Sequence, residues 1–422
     1  MLIYGIIYMV INMQNLGIIA EYNPFHNGHK FHIDKTKSKL NIDSSICIIS
    51  GNFTQRGEPC LYSKWKKTKM ALSNGIDLVI EMPTYYAVNS AQNFATCGIE
   101  LLNSLGIIDY VSFGTECNDI NILKQIVDIM LNEPLEYKEE LKKQLSMGNL
   151  FAKSNELAIL KVLGDDEFKN ILSSPNNILA LEYLKALAKL NSKIIPFNIE
   201  RTNDYLSLDI NSNICSATAI RNALEKDIHT NLENVVPLST YEIMRKNTPK
   251  FLKDFETQII YMIRKMDLKS LNDILEVTEG LDVRLKKFSF ETNNIYELIH
   301  KVKTKRFTQT KIQRILIHIL LGMTKTEFEN IQKLGYKSVL WSNAYDDFCN
   351  SHVDKLFDQN QIPCIHLRMV GYGTWRGKRY HWYGLHLLAY DDYAYSYNHF
   401  QYRQKLRRGG ARFGRRRNNR FV

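Results

Sequence analysis

Apolar positions along the chain change period repeatedly, and those changes lay out its elements. Ile18, Ile19 and Ala20 form a short apolar run that reads as a buried strand. Asn23-Pro24 punctuates it, because the residue before a proline is pushed away from helix and proline cannot extend a ladder. Past that turn, Phe31, Ile33 and Leu40 recur among lysines at helical spacing. Residues 46–49, 77–83, 110–113 and 193–200 repeat the apolar-run pattern and predict four more strands. Between them, helices are predicted from Ser63 through Trp65 and Met70 to a stop at Asn74-Gly75, and over 92–105. Two or three more fall within 119–163, and another opens at Ser173-Ser174-Pro175-Asn176-Asn177 with Ile178, Leu181, Leu184 and Leu187 on one side. Strand-helix repeats of about 30 residues argue for a parallel, helix-covered sheet. From about residue 238 to 334 the pattern turns helical throughout.

Length and composition refine this picture. A chain of 422 residues has room for two or three domains, and 45% hydrophobic with 23% charged residues is the balance of a soluble globular protein. The apolar stretch 2–11 lacks a basic leader and is far shorter than the ~20 residues of a membrane span. Met13 follows it, and the simplest reading places the true start there. Seven cysteines without a CxxC pair read as reduced thiols, hence a cytoplasmic protein with no membrane association. The net charge of +11 is unevenly placed: nine Lys/Arg lie within residues 401–422, leaving about +2 for the rest.

The chemistry concentrates in Gly17 to His32, GIIAEYNPFHNGHKFH. A helix that starts beyond a parallel strand points free N–H groups and its positive dipole end at phosphate. Gly28 lets the backbone come close, and His26 and His29 can donate to phosphate oxygens as charge moves onto leaving pyrophosphate. The same two histidines also read as surface residues or as paired metal ligands. The loop SGNFTQRGEP carries Arg56, Gly57 and Pro59, and Lys64, Lys66, Lys67 and Lys69 place several lysines on the exposed face of the following helix. Further on, Ser216 and Thr218 can cap a helix starting near Thr218, with Arg221 able to add a forked contact to phosphate. An ordinary cap with a surface arginine is the competing reading. Lys301, Lys303, Lys305, Arg306, Lys311 and Arg314 lie beside Ile312, Ile315, Ile317 and Leu320, which suggests packed helices with a basic face. An appended RNA-binding domain and a purely structural bundle fit that pattern equally.

HxGH with a later S-x-T-x-I-R resembles the nucleotidyltransferase superfamily. The closer resemblance is to the tRNA(Met) cytidine acetate ligases, through IIAEYNPFHNGH (18–29), SGNFTQRGEP (50–59), KWKKTKMAL (64–72), GIDLVIEMP (75–83), FGTE (113–116), SPNNILALEYLKAL (174–187), SATAIRNAL (216–224) and KTKRFTQTKIQRILIHILLGMT (303–324). It runs from about Met13 to roughly residue 335. The resemblance implies an α/β fold: a Rossmann-like parallel-sheet nucleotidyltransferase domain that binds ATP (13–230), then an α-helical, tRNA-binding domain (231–335). Residues 336–422 form an aromatic- and Arg-rich segment that departs from the family, as does Ala180 where glycine is usual. It also implies activation of acetate by ATP, with Mg²⁺ carried in by ATP, as acetyl-adenylate. The acetyl group then passes to N4 of the wobble cytidine of elongator tRNA(Met), with no stable protein partner. Carried over, Ile19, Ala20, Glu21, Tyr22, Asn23, Pro24, Phe25, His26, Asn27, Gly28, His29, Lys30, Phe31 and His32 hold ATP, together with Gly114, Asn176, Arg201, Ser216, Thr218 and Arg221. His26 and His29 are the catalytic pair, no metal ligand is assigned, and no side chain nominates itself as base for the amine attack. Two other classes remain open: a nucleotidyltransferase acting on a small phosphorylated metabolite, and a non-catalytic RNA-binding protein with a vestigial nucleotide site.

Overall fold

Along the strand Asn15–Ala20 (β1), Leu16 and Ile18 join one hydrophobic cluster while Ile19 packs against another, so the strand is buried on both faces. The computed structural model describes residues 14–149, 151–164, 168–201, 215–278, 280–334, 374–375 and 378–379. The expected start at Met13 lies outside them. So does the 336–422 segment, apart from a two-stranded antiparallel pair, Thr374–Trp375 with Lys378–Arg379.

After β1 come Asn27–Leu40 (α1), Ser44–Ser50 (β2), Lys64–Leu72 (α2), Leu78–Met82 (β3), Thr84–Ala87 (α3), Ala91–Leu105 (α4) and Tyr110–Thr115 (β4). Ile120–Asn132 (α5), Leu135–Ser146 (α6), Phe151–Leu163 (α7), Phe168–Ser173 (α8), Pro175–Lys189 (α9), Ile195–Glu200 (β5) and Ala217–Lys226 (α10) complete the α/β layer. All five strands pair in parallel, in the order β3-β2-β1-β4-β5. The order reverses between β1 and β4, where two neighbouring strands send their chains to opposite sides and open a crevice at their carboxyl ends. Residues of α1, α2 and α10 cover one face, and α4, α5 and α9 the other. Packing of α4 on β1 is close enough that a Cβ on Gly98 would lie 2.6 Å from Ile19, and one on Gly17 2.7 Å from Leu102.

Leu238–Arg245 (α11), Glu256–Lys265 (α12), Leu268–Asp273 (α13), Leu281–Ser289 (α14), Ile295–Val302 (α15), Gln309–Leu321 (α16) and Lys325–Leu334 (α17) follow. A third core, built mainly from α12 to α16, also takes in Phe53 and Val88 from the α/β layer. The buried His318 ring spans the same junction, its two nitrogens 2.9 Å from the Leu275 carbonyl and 2.8 Å from that of Val88. On α17, Phe328 packs against Tyr85 and Tyr86, and Glu327 accepts a hydrogen bond from the Tyr85 hydroxyl.

The expected basic face of these helices is partly spent inside the fold. Arg314 is buried and forms a two-pronged pair with Glu276 at 2.6 and 2.8 Å. Arg264 donates to the carbonyls of Ser289 and Thr292, Arg284 to those of Lys301 and Val302, and Lys286 to three carbonyls at the end of α12. These side chains satisfy carbonyls that a helix end leaves without partners. Lys303, Lys305 and Arg306, on the α15–α16 connection, are exposed.

Candidate active site

The chain leaves β1 at Ala20 and turns sharply, with Tyr22 in the left-handed region at φ 46° and a cis Asn23–Pro24 peptide. His26 then caps α1. Its Nδ1 accepts from the Gly28 N–H at 3.0 Å, while His29 Nδ1 accepts from the His26 N–H at 3.2 Å. This is a capping box in which two imidazoles do the work usually given to Ser or Thr and Glu. The rings stack with centroids 3.7 Å apart. Each Nδ1 is an acceptor, so each neutral ring carries its proton on Nε2, and that N–H is the one left to donate. Burial, then Arg201 and Arg221, lowers the His26 pKa to about 3. Burial foremost, with His26 and Arg201 nearby, holds His29 well below the usual histidine range. His32 is held at about 4 by burial and then Arg201, and its Nε2 lies 2.7 Å from the Ser112 hydroxyl on β4. The site therefore offers neutral donors at neutral pH.

Opposite stands the start of α10. Ser216 is its N-cap, accepting from the Ala219 N–H at 3.1 Å. Thr218 does not cap: it lies inside the first turn, and its hydroxyl accepts from Arg221 at 3.1 Å. Arg221 also donates to the Asn23 carbonyl at 3.1 Å and pairs with Glu58 at 3.3 Å. One guanidinium thus joins the second motif to the first and to the 52–59 loop. At the carboxyl end of β4, Gly114 lies under Arg201, where a Cβ would approach the arginine Cγ to 3.2 Å. Asn176 donates to Glu116 at 2.5 Å, and Glu116 also accepts the Asn177 N–H at 3.0 Å. That carboxylate caps α9 in place of Ser174, whose side chain makes no cap bond.

These parts enclose one cavity of about 290 Å³ at the switch point. Of the residues expected there, Ile19, Ala20, Glu21, Tyr22, Asn23, His26, Gly28, His29, Phe31, His32, Gly114, Asn176, Arg201, Thr218 and Arg221 line it. Pro24, Phe25, Asn27, Lys30 and Ser216 do not. Phe25 is wholly buried in the core, Asn27 donates to the Asn234 carbonyl, and Lys30 pairs with Asp34. The sequence reading missed Thr54, Gln55, Arg56 and Glu58, which form the wall supplied by the SGNFTQRGEP loop. The signal was present, since Arg56 and Gly57 sit just past a strand end. The lysine stripe beside that loop also needs correction: Lys67 is 1% exposed and donates to the carbonyls of Ser50 and Gly51, tying down the end of β2. Ser63 makes no cap bond, and Asn52 accepts the Lys64 N–H instead at 2.8 Å.

A buried amide in the wall waits for a partner. Asn23 Oδ1 accepts the Leu61 N–H at 2.7 Å, while its Nδ2 has no hydrogen-bond partner among the described residues. Among those residues no group of three or more His, Cys, Asp or Glu side chains gathers to hold a metal ion. No helix among them is long and apolar enough to cross a membrane.

A family model described as HIGH Nucleotidyl Transferase matches residues 13–365, about 30 residues beyond the point near 335 where the resemblance was expected to end. The tRNA(Met) cytidine acetate ligase of Thermoanaerobacter sp. (strain X514) is 45% identical over 334 residues, 78% of this chain and 83% of that protein. The protein of the same name from Caldanaerobacter subterraneus subsp. tengcongensis is 40% identical over 359 residues, 84% of this chain and 88% of that one. Among solved structures, Thermotoga maritima TmcAL bound with alpha-thio ATP is similar at a TM-score of 0.71 and 30% identity, covering 76% of this chain and 78% of that one.

Proposed function

We propose, for a chain that belongs to the HIGH nucleotidyl transferase family and within it to the tRNA(Met) cytidine acetate ligases, that it joins acetate to tRNA(Met) at the expense of ATP. The observation that carries this reading is the meeting of two helix N-termini at the sheet's switch point, one bearing the paired imidazoles and the other Thr218 and Arg221.

ATP lies along the cavity with its phosphates between the two helix starts and its nucleoside toward Gly114, Asn176 and Arg201. An acetate oxygen attacks the α-phosphorus, the bond to pyrophosphate breaks, and acetyl-adenylate forms. Acetate is ionised at neutral pH, so this step needs no strong base. The Nε2–H groups of His26 and His29 and the guanidinium of Arg221 meet the charge moving onto the leaving phosphates. Mg²⁺ entering with ATP would supply further charge neutralisation at the phosphates. The orphaned Nδ2 of Asn23 fits a polar ligand atom in the same wall. The N4 amine of the wobble cytidine of the elongator tRNA then takes the acetyl group and AMP leaves. On this reading residues 13–230 are the nucleotidyltransferase domain, 231–335 dock the tRNA, and the protein works in the cytoplasm.

The test supplies the protein with ATP, Mg²⁺, labelled acetate and total tRNA, without acetyl-CoA. ATP-dependent label on cytidine is the expected result. No label, with pyrophosphate exchange driven by a different acid or phosphorylated compound, moves the protein to the metabolite class.

A further inference from the structure

Acetyl transfer to an amine needs a proton acceptor, and the cavity holds few groups able to serve. His26 and His29 each spend Nδ1 on a backbone N–H and present Nε2–H, so neither can accept a proton without breaking its cap. Among the carboxylates lining the cavity, Glu58 is paired with Arg221, and Glu200 is exposed at the end of the edge strand β5. Glu21 differs. It is the first residue past β1, on the same turn as the imidazoles. Its Oε1 accepts the Gln55 N–H at 2.5 Å, and Gln55 is itself pinned to the Asn89 carbonyl at 2.8 Å. Among the described residues Oε2 takes no hydrogen bond or ion pair, so one oxygen is anchored and the other is uncommitted in the wall of the cavity.

We infer that Glu21 is the general base of the second half-reaction, accepting the proton from the cytidine N4 as the amine attacks the acetyl carbon. The inference rests on the ligase reading above. The N4–C bond forms, the acyl C–O bond to AMP breaks with its electron pair leaving on the phosphate, and the N4 proton goes to Glu21 and then to solvent. AMP leaves as an anion and needs no acid. Burial raises the Glu21 pKa, while the Gln55 N–H and the charges of Lys67, Arg56 and Arg221 act the other way. A carboxylate whose pKa is raised by desolvation is a stronger proton acceptor than a solvated one.

Glu21→Gln separates this role from ATP positioning, since the amide oxygen can still accept the Gln55 N–H. Single-turnover transfer from preformed acetyl-adenylate to tRNA(Met) should fall at least ~100-fold, roughly tenfold or more beyond any fall in acetate-dependent ATP–pyrophosphate exchange. Glu21→Asp, which restores a carboxylate, should recover part of the transfer relative to Glu21→Gln. Equal loss of exchange and of transfer in both variants would make Glu21 an ATP-positioning residue and overturn the inference. Transfer preserved in Glu21→Gln would overturn it too. Wild-type protein without acetate-dependent exchange would instead defeat the ligase reading.

Discussion

An imidazole that caps a helix with one nitrogen has a single nitrogen left for chemistry. At His26 this separates two functions that one substitution can pull apart. Asparagine is among the best N-caps, so His26→Asn should keep α1 within about 1 kcal/mol by urea titration. It removes the Nε2–H donor, and pyrophosphate exchange should fall by ~10²–10³. Equal losses in folding and exchange would mean that the cap, not the donor, matters. The same burial shapes the acid limb of stability. The His26 pKa is about 3 and that of His32 about 4 in the fold, both below the ordinary 6.5, so between those values the unfolded chain binds more protons. Their contribution is complete above pH 6.5 and is lost as the pH falls toward 4 and then 3. By pH 5 each should cost about 2 kcal/mol relative to neutral pH. Urea midpoints at pH 5 and 7.5 measure this, and His26→Asn should shrink the difference.

At the scale of elements, the 52–59 loop is the busiest segment. One side lines the cavity through Thr54, Gln55, Arg56 and Glu58; on the other, Gly57 faces α16. Gly57 has φ +79°, and a Cβ there would lie 2.1 Å from the Arg314 backbone nitrogen. Gly57→Ala should therefore lower stability by ~3 kcal/mol or more, through strain and steric conflict together, and reduce exchange as the cavity wall shifts. An unchanged melting temperature would show that α16 does not press on the loop. Removing half of the Arg314–Glu276 pair with Glu276→Gln should cost ~2–3 kcal/mol, as an uncompensated and largely buried charge is left behind. Much of this layout was legible in the chain. The apolar runs located all five strands, and HxGH and S-x-T-x-I-R marked both helix starts. Strand order was not legible, because β1 and β4 are neighbours through a crossover that no local pattern encodes. The roles of Lys67 and Arg314 were hidden for a related reason: a cation buried against strand-end carbonyls or a distant glutamate looks, in sequence, like any solvated lysine or arginine. Thr54 to Glu58 were left out of the site although Arg56 and Gly57 sit just past a strand end, because a loop without periodicity does not say which cavity it walls.

For the whole molecule, ligand binding and folding are linked through the junction of the sheet and the helices. Saturating ATP should stabilise the native state by about 2.7 kcal/mol at a hundredfold excess over its dissociation constant, visible as a rise in melting temperature. The tRNA should respond to salt, because affinity built on phosphate neutralisation falls as counterions compete. Replacing exposed Lys303, Lys305 and Arg306 with Gln should weaken tRNA binding and reduce the salt slope by ~0.7–0.9 for each phosphate no longer neutralised, leaving acetate-dependent exchange intact. An unaltered slope would place the tRNA on another surface.

The loop between cavity and helices also carries its own reporter. The Gln55 amide hydrogen is held by Glu21, and that of Thr54 by the Glu58 carbonyl at 2.9 Å. Their hydrogen-exchange rates should follow the seating of α16 on one side and the occupancy of the cavity on the other. Two adjacent amides can thus register, by mass, whether nucleotide and helices are engaged at the same time.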